Sequence, residues 1–115
     1  MSMASETMAT VQRENATLRE RIPGVDDAIW ALQRAAVEGE GVLDAKTRNL
    51  IGFAIAASKQ DEGCVAILAH ALAQRGVTAQ EVADAMGVVI LMNGGPGHIW
   101  AQHALAVFEE CAQAA

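Results

Sequence analysis

The chain of 115 residues has no tyrosine, and its aromatic residues are two tryptophans and two phenylalanines. A core must therefore come from Ala, Val, Leu, Ile and Met, and alanine at this density favours closely packed helices. Two cysteines, 47 positions apart, make no disulfide framework. Basic residues number only 8 against 14 acidic ones, for a net charge of −6. With no basic block and no interleaved aromatics, nucleic acid and anionic membranes are excluded as partners, because phosphate binding rests on clustered Lys and Arg. No apolar run reaches the roughly 18 to 20 residues of a membrane span. The longest candidate, Val82 to Met92, is short and broken by Asp84. The opening MSMASETMAT lacks a basic segment followed by an apolar one, so no secretory signal is expected. A cytoplasmic protein with reduced thiols is the expectation.

What is present is one small all-α domain, half of it apolar. No segment alternates with the two-residue period of a strand. Residues 1–21 read as an N-terminal arm or surface helix, frayed from Met1 to about Thr7, and residues 22–115 as the domain proper. Pro23 opens a helix to about Val37, with Val25, Ile29, Leu32 and Ala36 on one face. Asp44 N-caps a third helix, whose buried face is expected to hold Leu50, Ile51, Ala54, Ile55 and Ser58. The fourth runs from Asp61 to about Arg75 and ends at Gly76. Thr78 and Glu81 form a capping box for a fifth, which runs to Met92. Asn93-Gly-Gly-Pro-Gly97 predicts a sharp break before a sixth helix, His98 to Ala112, with Ile99, Trp100, Ala104, Val107 and Phe108 inward.

Lys46-Thr47-Arg48, Leu50-Ile51, Gly63-Cys64-Val65, Gly76-Val77-Thr78, Glu81-Val82 and Gly94-Gly95-Pro96 occur in an order and spacing that resembles the carboxymuconolactone decarboxylase and alkylhydroperoxidase-D-like family. The resemblance spans roughly Ile22 to Glu110. It implies an all-α fold that assembles with copies of itself, as a homotrimer or homohexamer; six helices, a small-molecule ligand or substrate and no cofactor are expected. Redox members are similar in using a C-x-x-C thiol pair with a Glu and a His as proton relay, while decarboxylase members use acid–base groups. Here the relay Glu falls on Asn49, the first cysteine on Asp61 and the relay His on Leu68. Only the second cysteine remains, as Cys64.

A dithiol cycle needs a second thiol to resolve the oxidised one, and Asp61 cannot supply it. Asn49 and Leu68 cannot carry protons near neutral pH. Cys64 reads either as a reactive thiol at a pocket or as a small core residue, with Asp61 and Glu62 opposing thiolate formation. His70 is the candidate acid–base partner if the fold brings it to Cys64, and otherwise a surface or interface histidine. Asn49, Asp61 and Leu68 are expected to line a pocket with Cys64, Asp61 also reading as the fourth helix's N-cap. No metal site is expected, since His98 and His103 stand five apart rather than four. Cys111 reads as a packing residue, and Trp30, Trp100, Met86 and Met92 as core or subunit interface. The expected function is that of a diverged pocket protein for a small organic acid or aromatic metabolite. The alternatives are an antioxidant peroxidase working through Cys64 with an external thiol, and a non-catalytic scaffold.

Overall fold

Polar side chains placed one turn ahead of apolar runs fix where the helices start. In the computed structural model, which describes residues 2–114, Ser2 Oγ accepts the Ser5 N–H at 3.1 Å. Asp44 accepts the Thr47 N–H at 2.8 Å and Asp61 the Cys64 N–H at 3.0 Å. Thr78 Oγ1 accepts the Glu81 N–H at 3.1 Å while Glu81 accepts the Thr78 N–H at 3.0 Å, the reciprocal box read from the sequence. The resulting helices are α1 (Met3–Arg21), α2 (Pro23–Glu38), α3 (Ala45–Ser58), α4 (Glu62–Gln74) and α5 (Ala79–Ala114). The described residues form no strand.

Five helices stand where six were expected, because the predicted break is a kink inside α5. Gly94 alone leaves helical geometry, at φ 65 and ψ −141, a region open essentially to glycine. Pro96 falls in the first turn after it, where a missing N–H is harmless, so the second arm resumes without a loop. Gly97 lets the arms close. A Cβ there would lie 2.6 Å from Asn93 Cβ and 2.9 Å from the Val89 carbonyl oxygen.

The core lies where α3, α4 and α5 meet, around Phe53, Val65, Leu72, Val82 and Phe108, all fully buried. The expected face of α3 is rotated. Phe53, Ala56 and Ala57 are buried, Leu50 and Ala54 pack against them, and Ile51, Ile55 and Ser58 are exposed. Ile99 is likewise exposed rather than inward, and so is Met92, whereas Met86 is buried. The apolar stripe of α2 exists, but none of the described residues covers it: Leu32 is 66% exposed, and Val25 and Ile29 are similar.

The N-terminal segment is not frayed over the described residues. α1 starts at Met3 because Ser2 caps it and because Glu110, near the far end of the chain, accepts the Ala4 N–H at 2.9 Å. Met1 lies outside the described residues. α1 packs on α2, α4 and α5 with only Ala4 buried. Asn15 joins it to α2, donating to buried Asp26 at 3.4 Å and accepting the Trp30 indole N–H at 3.0 Å.

Candidate functional site

The turn from α3 to α4 holds position 61 in place. Gln60 takes a left-handed conformation (φ 57), its N–H bonds to the Ala57 carbonyl, and the Asp61 N–H bonds to that of Ala56. This double closure ends α3 and delivers Asp61 as the cap of α4. The hydrogen bond from the Cys64 N–H, first among the causes, holds the Asp61 carboxyl below the usual carboxylate range. Cys64 is exposed as a residue. Partial burial of its sulfur, and then the hydrogen bond and charge of Asp61, push its thiol up. A cap and a disfavoured thiolate are what positions 61 and 64 provide.

Asn49 and Leu68 have structural tasks too. Asn49 is 1% exposed, and its Nδ2 donates to the Ala45 carbonyl at 2.8 Å one turn back. Its Oδ1 is buried without a partner. Leu68 packs over Gly52, 3.4 Å from where a Cβ would stand. Asn49, Asp61, Cys64 and Leu68 line neither the clefts under α1 nor the depression beside Trp100. His70 lines a cleft of about 450 Å³ under α1, facing Ser5, Gln74, Glu110 and Cys111. The structure thus sets His70 beside Cys111 rather than beside Cys64. Burial, and then the charge of Glu110, push the Cys111 thiol up.

What the fold brings together is a different pair. Glu62, the first residue of α4, meets His103 on the second arm of α5. Nε2 of the imidazole lies 2.7 Å from Glu62 Oε2 and 2.9 Å from Oε1. Trp100 stands edge-on to the His103 ring with centroids 5.3 Å apart. Glu62, Ile99, Trp100 and His103 line an open depression of about 530 Å³. With Nε2 committed to the carboxylate, the second ring nitrogen, Nδ1, makes no hydrogen bond to the described residues. A carboxylate that fixes one imidazole nitrogen orients the ring and leaves the other nitrogen able to take or give a proton. No Lys or Arg lines this depression.

On the far side of Glu62, a second depression of about 390 Å³ runs beneath α1, lined by Thr7, Thr10 and Glu14 among others. Among the described residues no three His, Cys, Asp or Glu side chains cluster as metal ligands would. Sequence reasoning missed the Glu62–His103 pair because 41 positions separate its members and neither stands in a local motif.

The comparisons with known proteins agree with the geometry at the level of family. The model of the carboxymuconolactone decarboxylase family matches residues 23–110. The crystal structure of an apo carboxymuconolactone decarboxylase family protein from Legionella pneumophila superposes with a TM-score of 0.90 at 31% identity, covering 95% of this chain and 96% of that one. An uncharacterized protein of the cox locus of Paracoccus denitrificans is 30% identical over 110 residues, 96% of this chain and 92% of its own length. An uncharacterized protein of Methanocaldococcus jannaschii is 38% identical over 82 residues, 69% of this chain and 76% of its own. The matched region begins at the start of α2, so α1 lies outside it.

Proposed function

Because the chain belongs to the carboxymuconolactone decarboxylase family, we propose that it binds a small aromatic metabolite at the Glu62–His103 pair and performs acid–base rather than dithiol chemistry. The carrying observation is the 2.7 Å contact between His103 Nε2 and Glu62 beside Trp100, in a depression open to solvent. Trp100 and Ile99 offer an apolar surface to a flat ring. His103 Nδ1 is the atom that exchanges a proton with a ring hydroxyl or an adjacent carbon, and Glu62 holds the imidazole in place through Nε2. Since no Lys or Arg lines the depression, a neutral aromatic fits better than an anionic acid.

The one-cysteine peroxidase reading draws no support from Cys64. A nucleophilic thiol needs a depressed pKa, and both burial and Asp61 act in the opposite direction.

The test is a titration with catechol and with benzoate, followed by Trp fluorescence and by melting temperature. The expected result is saturable binding of catechol, weaker binding of benzoate, and loss of both in His103→Ala. A ligand at about 100 times its dissociation constant stabilises by about 2.7 kcal/mol, roughly 10 °C for a domain of this size. Catechol binding that survives His103→Ala, or no binding of either probe, would overturn the assignment.

A further inference from the structure

α1 lies outside the matched family region, and of its 19 residues only Ala4 is buried. Polar bonds hold it where apolar packing does not. Glu110 accepts the Ala4 N–H near its start, and Asn15 ties its second half to Asp26 and Trp30. Small residues, Ala4, Ser5 and Ala9, face the surface below, and a cleft of about 450 Å³ stays open between α1, α4 and the end of α5. That volume is in the range of small-ligand sites, roughly 300–1,000 Å³. A second depression of about 290 Å³ shares Met8 and Gln12 with the cleft and extends the lining to Ile67 and Trp30.

We infer that this cleft binds a small primary amine with an apolar chain, at a site separate from the Glu62–His103 pair, with which it shares no lining residue. Charge selects the head group. Glu110 is the one acidic residue in the lining, no Lys or Arg stands there, and the chain carries −6 overall, so an anion is repelled and an ammonium attracted. Glu110 is also prepared for the role. The Ala4 N–H fixes its Oε2 at 2.9 Å, while Oε1 makes no hydrogen bond to the described residues and is left to accept a charge-assisted one from the ligand. Gln74 and His70 supply further acceptors for an ammonium, which has three N–H donors. Among the described residues no trio of metal ligands forms, so the cation that fits is organic. Met8, Ala9, Cys111 and Ala114 offer an apolar, polarizable wall to its body. Cys111 stays uncharged there, its thiol pushed up by burial and then by Glu110. The continuation of the lining to Ile67 suits an extended chain better than a compact ring.

The test is a calorimetric titration near neutral pH with n-hexylamine, 1-hexanol and hexanoate, which keep the chain and change the charge of the head. Hexylamine is expected to bind saturably, hexanol about tenfold more weakly, and hexanoate not at all. Glu110→Gln keeps an acceptor for the Ala4 N–H and removes the charge, so it should weaken hexylamine about tenfold and leave hexanol unchanged. Ala9→Phe puts a ring into the cleft with Glu110 intact and should abolish binding of both. It decides the matter should Glu110→Gln lose its helical circular dichroism. His103→Ala should bind hexylamine as the parent does, since His103 lines the other depression. No binding of hexylamine, hexanoate binding as tightly as hexylamine, hexylamine binding that survives Glu110→Gln or Ala9→Phe, or its loss in His103→Ala would each overturn the inference. Failure of catechol to bind would leave it standing.

Discussion

Asp61→Asn separates the two roles that one side chain plays at the start of α4. Asparagine caps a helix about as well as aspartate, so the acceptor for the Cys64 N–H is kept while the charge is removed. A unit charge one helical turn away contributes on the order of 0.8 kcal/mol in a water-like dielectric, which is the discounted value suited to this exposed position. That corresponds to about a fourfold change in thiolate at fixed pH. The assay is iodoacetamide alkylation of Cys64 read by intact mass against pH, in a Cys111→Ser background. The expected result is a neutral-pH rate about fourfold higher than in the parent, with the profile still above the ordinary thiol range, because burial, the larger cause, is untouched. An unchanged or slower rate, or a profile falling below the ordinary thiol range, would refute the reasoning. Stability gives a second readout. The folded-state pKa of Asp61 is depressed, so its contribution is present above the unfolded value near 3.9 and is lost as pH falls through the lower folded value. A charge in this first turn contributes about 0.3–1 kcal/mol. The melting-temperature gap between parent and Asp61→Asn should therefore close below about pH 4.

Asn49→Leu should stabilise the protein. It removes a buried oxygen without a partner, worth about 1–3 kcal/mol, and adds apolar burial that outweighs the lost bond to Ala45 of about 1 kcal/mol, so the urea midpoint should rise. A fall in that midpoint would show that Oδ1 has a partner in solution. Gly97→Ala and Gly94→Ala should both destabilise, for different reasons. The first drives a methyl into the Val89 carbonyl and Asn93, at about 1–3 kcal/mol, and the second forces a side chain into φ 65, ψ −141 at a similar cost. Shortening residue 93 in Asn93→Gly should relieve the part of the Gly97→Ala penalty that comes from Asn93, leaving the Val89 carbonyl contact, and none of the Gly94→Ala penalty, a contrast that denaturant melts can read.

The helix starts were legible because their signals are local. Asp44, Asp61 and the Thr78–Glu81 box act within one turn, and Gly76 at φ 71 closes α4 where the sequence placed the stop. Helix faces were harder, since α3 is apolar nearly all round. Ile51 and Ile55 have the same spacing as Phe53 and Ala57, and only the packing of α4 and α5 decides for the second pair. The stripe on α2 was read with the correct period, yet none of the described residues covers it. The break at Asn93–Gly97 was visible, but not that one glycine would suffice for it. His70 was a candidate partner for Cys64, and the fold sets it in a cleft with Cys111 instead, a juxtaposition hidden by 41 residues of sequence.

Each position that resembles the family's redox relay now has a task that resists reversal. Asp61 is held by the backbone closure that ends α3, Asn49 is sealed inside, and Leu68 fills the space over Gly52. A cysteine at 61 would remove the cap of α4, at about 1 kcal/mol, and still leave no proton carrier at 49 or 68. Meanwhile Glu62 stands one residue further along the same turn, about 100° round the helix axis, where its carboxylate turns away from Cys64 towards α5. Two adjacent carboxylates thus face different elements: one serves the backbone and the other meets an imidazole. A single residue of register separates the acid that caps α4 from the one that meets His103, and the proposed acid–base reading rests on that difference rather than on Cys64.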